Sequence, residues 1–160
     1  MEYLSDLRIY IVHGPGTEVN TMVACPLMKY LKDSFDDMFH RKRGSFYFAH
    51  SPTILSMLSL LGIGMDDYPL THGIFGKRKA NTRRFITSFI SPTASNIGFV
   101  LFKCDESSDE NGDDDDEKIK YKIIACHNER PDIIEGCDDI ACDWDVFKEM
   151  FEAMMLFKNF

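Results

Sequence analysis

The sequence predicts an α/β fold, a sheet flanked by helices, on three observations. An aromatic run at 45–49 is followed after one residue by a leucine-rich helical run. Two further strand-like runs lie at 97–103 and 119–126, and apolar residues recur at helical spacing within 26–39 and 144–157. A chain of 160 residues has the size of one domain and is long enough to bury a core.

From Pro26 to Phe39, apolar Leu27, Leu31, Phe35 and Met38 recur with Lys29, Lys32, Asp33 and Asp37 between them. That spacing predicts an amphipathic helix, with Pro26 tolerated in its first turn. His40 to Gly44 reads as a basic loop, and Ser45 to Ala49, bounded by Gly44 and His50, as a buried strand. Pro52 then opens a helix to Leu61, with Ser51 as N-cap and Gly62 as its stop. Ile54, Leu55, Met57, Leu58, Leu60 and Leu61 wrap most of that helix, so it is expected to be largely buried. Strand, one-residue turn and helix would place His50 at the C-terminal edge of a sheet, where ligands collect in open α/β folds.

Asp66 to Arg84 is polar, rich in turn formers and basic from Lys77 onward. Ile97–Lys103 and Ile119–Cys126 read as a hairpin whose acidic tip, at about 105–117, is expected to be solvated and disordered. Asp143 is placed to cap a last helix from Trp144 to about Phe157, with Phe147, Met150, Phe151 and Met154 as its apolar face.

The formal net charge of −8 argues against nucleic acid as the main partner. Nine of the 26 acidic residues fall within 105–117, however, and the rest of the chain is close to neutral. Global repulsion of an anionic ligand therefore does not follow. No apolar run reaches the roughly 18 residues of a membrane span. The stretch Met1 to Asp6 lacks the basic start and apolar middle of a signal peptide, which taken alone points to the cytosol. Five cysteines leave at least one unpaired thiol in a monomer and leave the compartment open.

Several residue groups carry chemical meaning. A histidine that ends a strand and faces a helix N-terminus can donate to a phosphate that the helix amides also attract; the plainer role for His50 is to satisfy a strand end. The run Lys77-Arg78-Lys79-Ala80-Asn81-Thr82-Arg83-Arg84 is either a funnel for a polyanion or a solvated helix face. Asp113 to Asp116 lack the alternating ligands and closing Glu of an EF-hand and read as an acidic loop. Cys137 and Cys142, with Cys126-His127 near them in sequence, are a candidate zinc set whose spacing is not that of a knuckle.

Phe48-Ala49-His50-Ser51-Pro52 running into Leu60-Leu61-Gly62 resembles the second active-site motif of histidine acid phosphatases. The order continues through Asp67, Pro69-Leu70-Thr71, Arg84-Phe85, and Ser91 to Asn96 leading into Phe99 to Cys104. It is most similar to the multiple inositol polyphosphate phosphatase branch, as are Gly14 to Asn20 and Ala24 to Leu27 upstream. The resemblance covers about Asp6 to Phe151 apart from the acidic loop.

What the resemblance implies is specific. The fold would be part of a histidine-phosphatase (phosphoglycerate-mutase-like) sheet, with residues 1–160 forming a single partial domain and open strand edges prone to self-association. Family activity is hydrolysis of phosphomonoesters of inositol polyphosphates, phytate included, through a phosphohistidine and without a metal or other cofactor. By position, His50 is the second, phosphate-binding histidine, with Ser51 beside it as a substrate contact. The proton-donating acid of the family would stand at Pro52 or Ser51, neither of which can serve. The nucleophile motif Arg-His-Gly-x-Arg is absent, and His13 in Val12-His13-Gly14-Pro15-Gly16 lacks both flanking arginines. The chain alone is therefore expected to be inactive: a non-catalytic module that binds a phosphorylated ligand, or an inert remnant. An unrelated acidic interaction protein would not explain the ordered motifs. The family also implies a Cys137–Cys142 disulfide before the last helix and a secretory location.

Overall fold

The computed structural model describes residues 2–38, 44–104 and 120–157. Three helices come first: α1 (Glu2–Val12), α2 (Glu18–Met22) and α3 (Cys25–Met38). Helix α1 buries Tyr3 and Asp6 and packs Leu7 and Tyr10 beside them, a stripe at three- and four-residue spacing. It ends where the chain turns beneath Phe85. A Cβ on Gly14 would lie 2.8 Å from the Phe85 ring and 3.0 Å from the Tyr10 Cα, so only glycine fits there. Helix α3 turns Met28 and Phe35 into the core, within one residue of its expected bounds.

Helix α4 (Ser51–Leu61) is the centre of the molecule. Leu55, Met57, Leu58, Leu60 and Leu61 are all buried, as their distribution around the helix requires. Gly62 takes the left-handed backbone (φ 69) that closes the C-terminus, again as expected. His50, rather than Ser51, occupies the N-cap, and its side chain makes no capping hydrogen bond.

The stretch from Asp66 to Arg84, expected to be rich in turns, holds a 3-10 turn (His72–Ile74) and α5 (Arg78–Asn81), and α6 (Thr87–Ile90) follows it. Strands β1 (Ile97–Cys104) and β2 (Lys120–His127) then form the expected antiparallel hairpin, with Leu101 opposite Ile123 and Phe99 opposite Ala125. These four face the core, and Ile123 and Ala125 are wholly buried. Asn128 and Glu129, both at positive φ, make the tight turn into β3 (Arg130–Asp132). The short strand β4 (Ala141–Asp143) pairs with the other half of the same β2 edge. Helix α7 (Trp144–Phe157) follows at once, with the Asp143 carboxylate accepting from the Asp145 amide. Its Phe147 and Phe151 close the core over β2, and Trp144 meets Phe35 edge-on at 5.5 Å.

A second expectation is overturned besides the N-cap. Ser45 to Ala49 is neither a strand nor buried: Phe46 is 88% and Phe48 97% exposed. Aromatic β-propensity reports a side chain that fits a pleated surface, whether or not a neighbouring strand supplies that surface. His50 accordingly does not end a sheet strand, and every strand pairing described is antiparallel. The acidic stretch at 105–117, with its calcium reading, and the basic residues 40–43 lie outside the described residues.

Candidate functional site

The N-terminus of α4 is where the predicted site residues meet. His50 has extended backbone (φ −94, ψ 163) and an exposed imidazole. The amides of Thr53 and Ile54 both turn back to the His50 carbonyl, at 2.9 and 3.5 Å. Pro52 has no N–H. A helix start ordinarily offers an anion several free amides; here the Ser51 N–H alone is left in the first turn. The Ser51 hydroxyl lies 2.6 Å from that of Ser91. One of the two donates to the other, so one hydroxyl hydrogen of the pair stays available to a ligand. Imidazole, amide and hydroxyl thus give three donors at one helix end.

Ser91 was in the sequence only as part of an ordered match, and its role is visible through its anchoring. The turn from Ile90 to Asn96 is fastened to the β2–β3 turn at several points. His127 Nε2 lies 2.6 Å from the Ile90 carbonyl. The Asn128 side-chain oxygen accepts from the Ser95 hydroxyl at 2.9 Å and the Asn96 amide at 3.1 Å. The Asn128 amide reaches the Asn96 carbonyl at 3.0 Å. Ala94 within this turn takes a left-handed backbone (φ 64), a conformation that costs about 1–2 kcal/mol in a residue with a Cβ. The sheet end therefore fixes the loop that carries Ser91 to Ser51.

The basic run divides. Lys77, Arg78 and Arg84 are exposed, and Lys79 lies over the Tyr68 ring at 4.7 Å. Arg83 instead turns inward, 8% exposed, and is ion-paired with the wholly buried Asp6. Its Nη1 donates to the Ala80 carbonyl and its Nε to the Phe85 carbonyl at 3.2 Å. Asp6 also accepts from the Thr87 amide at 3.1 Å and the Thr87 hydroxyl at 2.6 Å. Tyr3 stacks its ring 5.2 Å from the guanidinium and donates its hydroxyl to the Thr71 carbonyl at 2.7 Å. Burial raises the Tyr3 phenol above its ordinary pKa of 10, against the opposing pull of the Arg83 charge. Neither a uniform funnel nor a fully solvated face describes this run, because one of its arginines ties α5 to α1.

Cys137 and Cys142 are disulfide-bonded, as the family resemblance implied, which removes both from any zinc set. Cys25, Cys104 and Cys126 are free thiols. Among the described residues no three His, Cys, Asp or Glu side chains converge to hold a metal ion. His13 sits just past α1, its amide bonded to the Ile9 carbonyl, and its carbonyl accepts from Ser56 at 3.5 Å; it takes a structural place in the turn. No helix among the described residues is long and apolar enough to cross a membrane.

Curated relatives share this chain's pattern over part of their length. The chain is 38% identical over 105 residues to a Dictyostelium discoideum protein named multiple inositol polyphosphate phosphatase 1, matching 66% of this chain and 15% of that one. It is 33% identical over 115 residues to the Homo sapiens protein of the same name (67% and 23%). With the Gallus gallus protein so named, identity is 24% over 163 residues, 97% of this chain and 34% of the relative. The chain thus spans no more than about a third of the length of these relatives. Residues 1–123, which include α1, the α4 terminus, the Ser91 turn and β1, match the family profile described as the histidine phosphatase superfamily, branch 2. With most of the chain matched, and with relatives of one name aligned along it, the protein belongs to the histidine phosphatase superfamily, branch 2.

Proposed function

We propose that the chain is a partial histidine-phosphatase domain that binds the phosphoryl group of a phosphomonoester, of the inositol polyphosphate class, at the N-terminus of α4. The carrying observation is the grouping of His50, the free Ser51 amide and the Ser51–Ser91 hydroxyl pair at one helix end. The printed name of the relatives supports the ligand class.

Binding is expected to be weak. A neutral donor contributes about 0.5–1.5 kcal/mol net and a charged one about 1.5–3 kcal/mol. Three hydrogen bonds to a charged phosphate, taken at the lower end of that range, therefore supply about 4.5 kcal/mol, a Kd near 1 mM. No turnover is expected from the chain by itself: its 160 residues hold no Arg-His-Gly-x-Arg segment, and Ser51 and Pro52 supply no proton donor for a leaving alcohol. The disulfide supports an oxidising, secretory location. We infer as well that the chain self-associates through an open strand edge.

Calorimetry with inositol hexakisphosphate, paired with a phosphate-release assay, tests the site. Binding without release, weakened at least about tenfold in His50→Ala, is the expected result. Release that disappears in His50→Ala would show an active phosphatase, and silence in both assays would show an inert remnant.

A further inference from the structure

The turn from Ser91 to Asn96, between α6 and β1, carries Ser91 to Ser51 but does little to hold its own shape. Within it the Ser95 amide bonds to the Pro92 carbonyl at 3.0 Å, and the Ser95 hydroxyl reaches back to the Ile90 carbonyl at 3.3 Å. Pro92 supplies no N–H, and the left-handed Ala94 is held against its own preference. The shape is imposed from outside, and one side chain reaches both ends of the turn. Asn128 Oδ1 accepts from the Ser95 hydroxyl and the Asn96 amide at the far end. Its Nδ2 donates to the Phe89 carbonyl at the near end, at 3.3 Å. The Asn96 N–H can only donate, so the Asn128 oxygen must face it and the nitrogen must face Phe89. Aspartate would bring no donor to Phe89, and asparagine tolerates the left-handed backbone that position 128 takes (φ 48). The other fastenings hold one end each: the Asn128 amide meets the Asn96 carbonyl, and the His127 ring meets the Ile90 carbonyl.

We propose that Asn128 is a positioning residue of the phosphate site: by spanning both ends of the turn it keeps the Ser91 hydroxyl against that of Ser51 before a ligand arrives. This rests on the site proposed at the N-terminus of α4 and adds to it a residue that the ligand does not touch. Whichever of the two hydroxyls donates to the other, the remaining hydrogen is aimed only while Ser91 is in place. The pair has little slack. It stands at 2.6 Å, and hydroxyl pairs are lost beyond about 3 Å, so a shift of the turn by about 0.5 Å dissolves it. A ligand that meets a fixed pair has no side chain to order, and ordering one costs up to about tenfold in affinity.

Inositol hexakisphosphate titrated into the isotope-labelled full chain, followed by nuclear magnetic resonance at the Ser51 amide, measures the effect. Asn128→Gly removes the side chain at a positive-φ turn position that glycine adopts freely, so the parent circular dichroism is expected to persist. Its Kd is expected to rise about tenfold, as is that of Ser91→Ala. The Ser91→Ala/Asn128→Gly chain is expected to bind no more weakly than Ser91→Ala alone. A general loosening of the fold would instead weaken binding in both backgrounds alike. Ser95→Ala cuts one tie to Asn128 and leaves the others; its Kd is expected to lie between those of the parent and Asn128→Gly. Affinity within about twofold of the parent in a folded Asn128→Gly, or in Ser95→Ala should Asn128→Gly unfold, would overturn the role of Asn128 while the α4 site stood. Equal weakening by Asn128→Gly with and without the Ser91 hydroxyl would do the same. A parent chain whose Ser51 amide is unmoved at about 10 mM ligand, tenfold above the expected Kd, would overturn the site and this role with it.

Discussion

Replacing Asp6 by alanine strands a guanidinium in the interior. Asp6 is wholly buried, and it accepts from Arg83 Nε at 3.2 Å, from Arg83 Nη2 and from both polar groups of Thr87. In Asp6→Ala, Arg83 keeps the Ala80 and Phe85 carbonyls and the Tyr3 ring, with the exposed Glu2 carboxylate 3.9 Å away. Breaking a buried pair by removing one partner costs about 3–5 kcal/mol. The orphaned Thr87 amide adds about 1–3 kcal/mol, part of which Glu2 and entering water offset. A net loss of about 4 kcal/mol is a large share of the 5–15 kcal/mol typical of a domain. Urea unfolding followed by circular dichroism measures it, and Asp6→Ala/Arg83→Ala completes a double-mutant cycle. If the stranded charge is the cause, the double variant is expected to be about as stable as Asp6→Ala alone. An Asp6→Ala loss under about 1 kcal/mol, or single losses that add to within about 0.5 kcal/mol, would refute the reasoning.

Other perturbations have equally definite outcomes. Reducing the Cys137–Cys142 bond frees a loop with a sequence separation of only 5, so urea unfolding with and without reductant should differ by about 2 kcal/mol; coincident curves would deny the bond a role in stability. Gly14→Ala drives a methyl into the Phe85 ring and is expected to cost about 1–3 kcal/mol in the same assay. The raised phenol of Tyr3 makes the folded chain hold its proton where the unfolded chain releases it. Its share of stability is therefore intact below about pH 10 and lost as pH rises through the higher folded value. Tyr3→Phe should lose about 1 kcal/mol at pH 8, where the Thr71 hydrogen bond is missed, yet lose less than the parent between pH 8 and pH 10.5; parallel pH curves for the two chains would contradict this.

The elements legible in the sequence are those whose apolar residues mark one face or fill a continuous run. Helices α3, α4 and α7 and the β1–β2 hairpin lie within a residue or so of their expected bounds for that reason. Helix α1 was hidden by Asp6, a carboxylate inside the buried stripe of Tyr3, Leu7 and Tyr10. Such a residue reads as solvent-facing until its partner is known, and Arg83 stands 77 positions away. Arg83 was hidden in turn by its company, since the cations near it, Lys77, Arg78 and Arg84, do face water. At the proposed site, His50 was singled out at the end of a strand that the structure does not form, and Ser51 as a ligand contact only by the resemblance. Ser91 was not assigned a role, because the fastenings that bring it to Ser51 run through Asn128 and His127, more than thirty positions further on.

The buried pair also bears on what the α4 terminus can do. Phosphoryl transfer needs positive charge held against the equatorial oxygens, because charge stabilisation is usually the largest single contribution to catalysis. Arginine is the residue suited to that task, and Arg83 and Arg84 lie in the one strongly basic stretch described. Arg83 is committed: moving it to a ligand would leave Asp6 buried and unpaired, at the same cost of about 3–5 kcal/mol that holds the fold together. That cost matches the roughly 4.5 kcal/mol expected from the three donors at His50, Ser51 and Ser91, so a bound phosphate cannot draw the arginine out. On the proposed reading, a phosphate at this helix end would be held by one imidazole and two neutral donors, which can orient it without stabilising the charge of a transition state. The Asp6–Arg83 pair that fastens α1 to the segment around α5 thereby withholds its arginine from the proposed phosphate site.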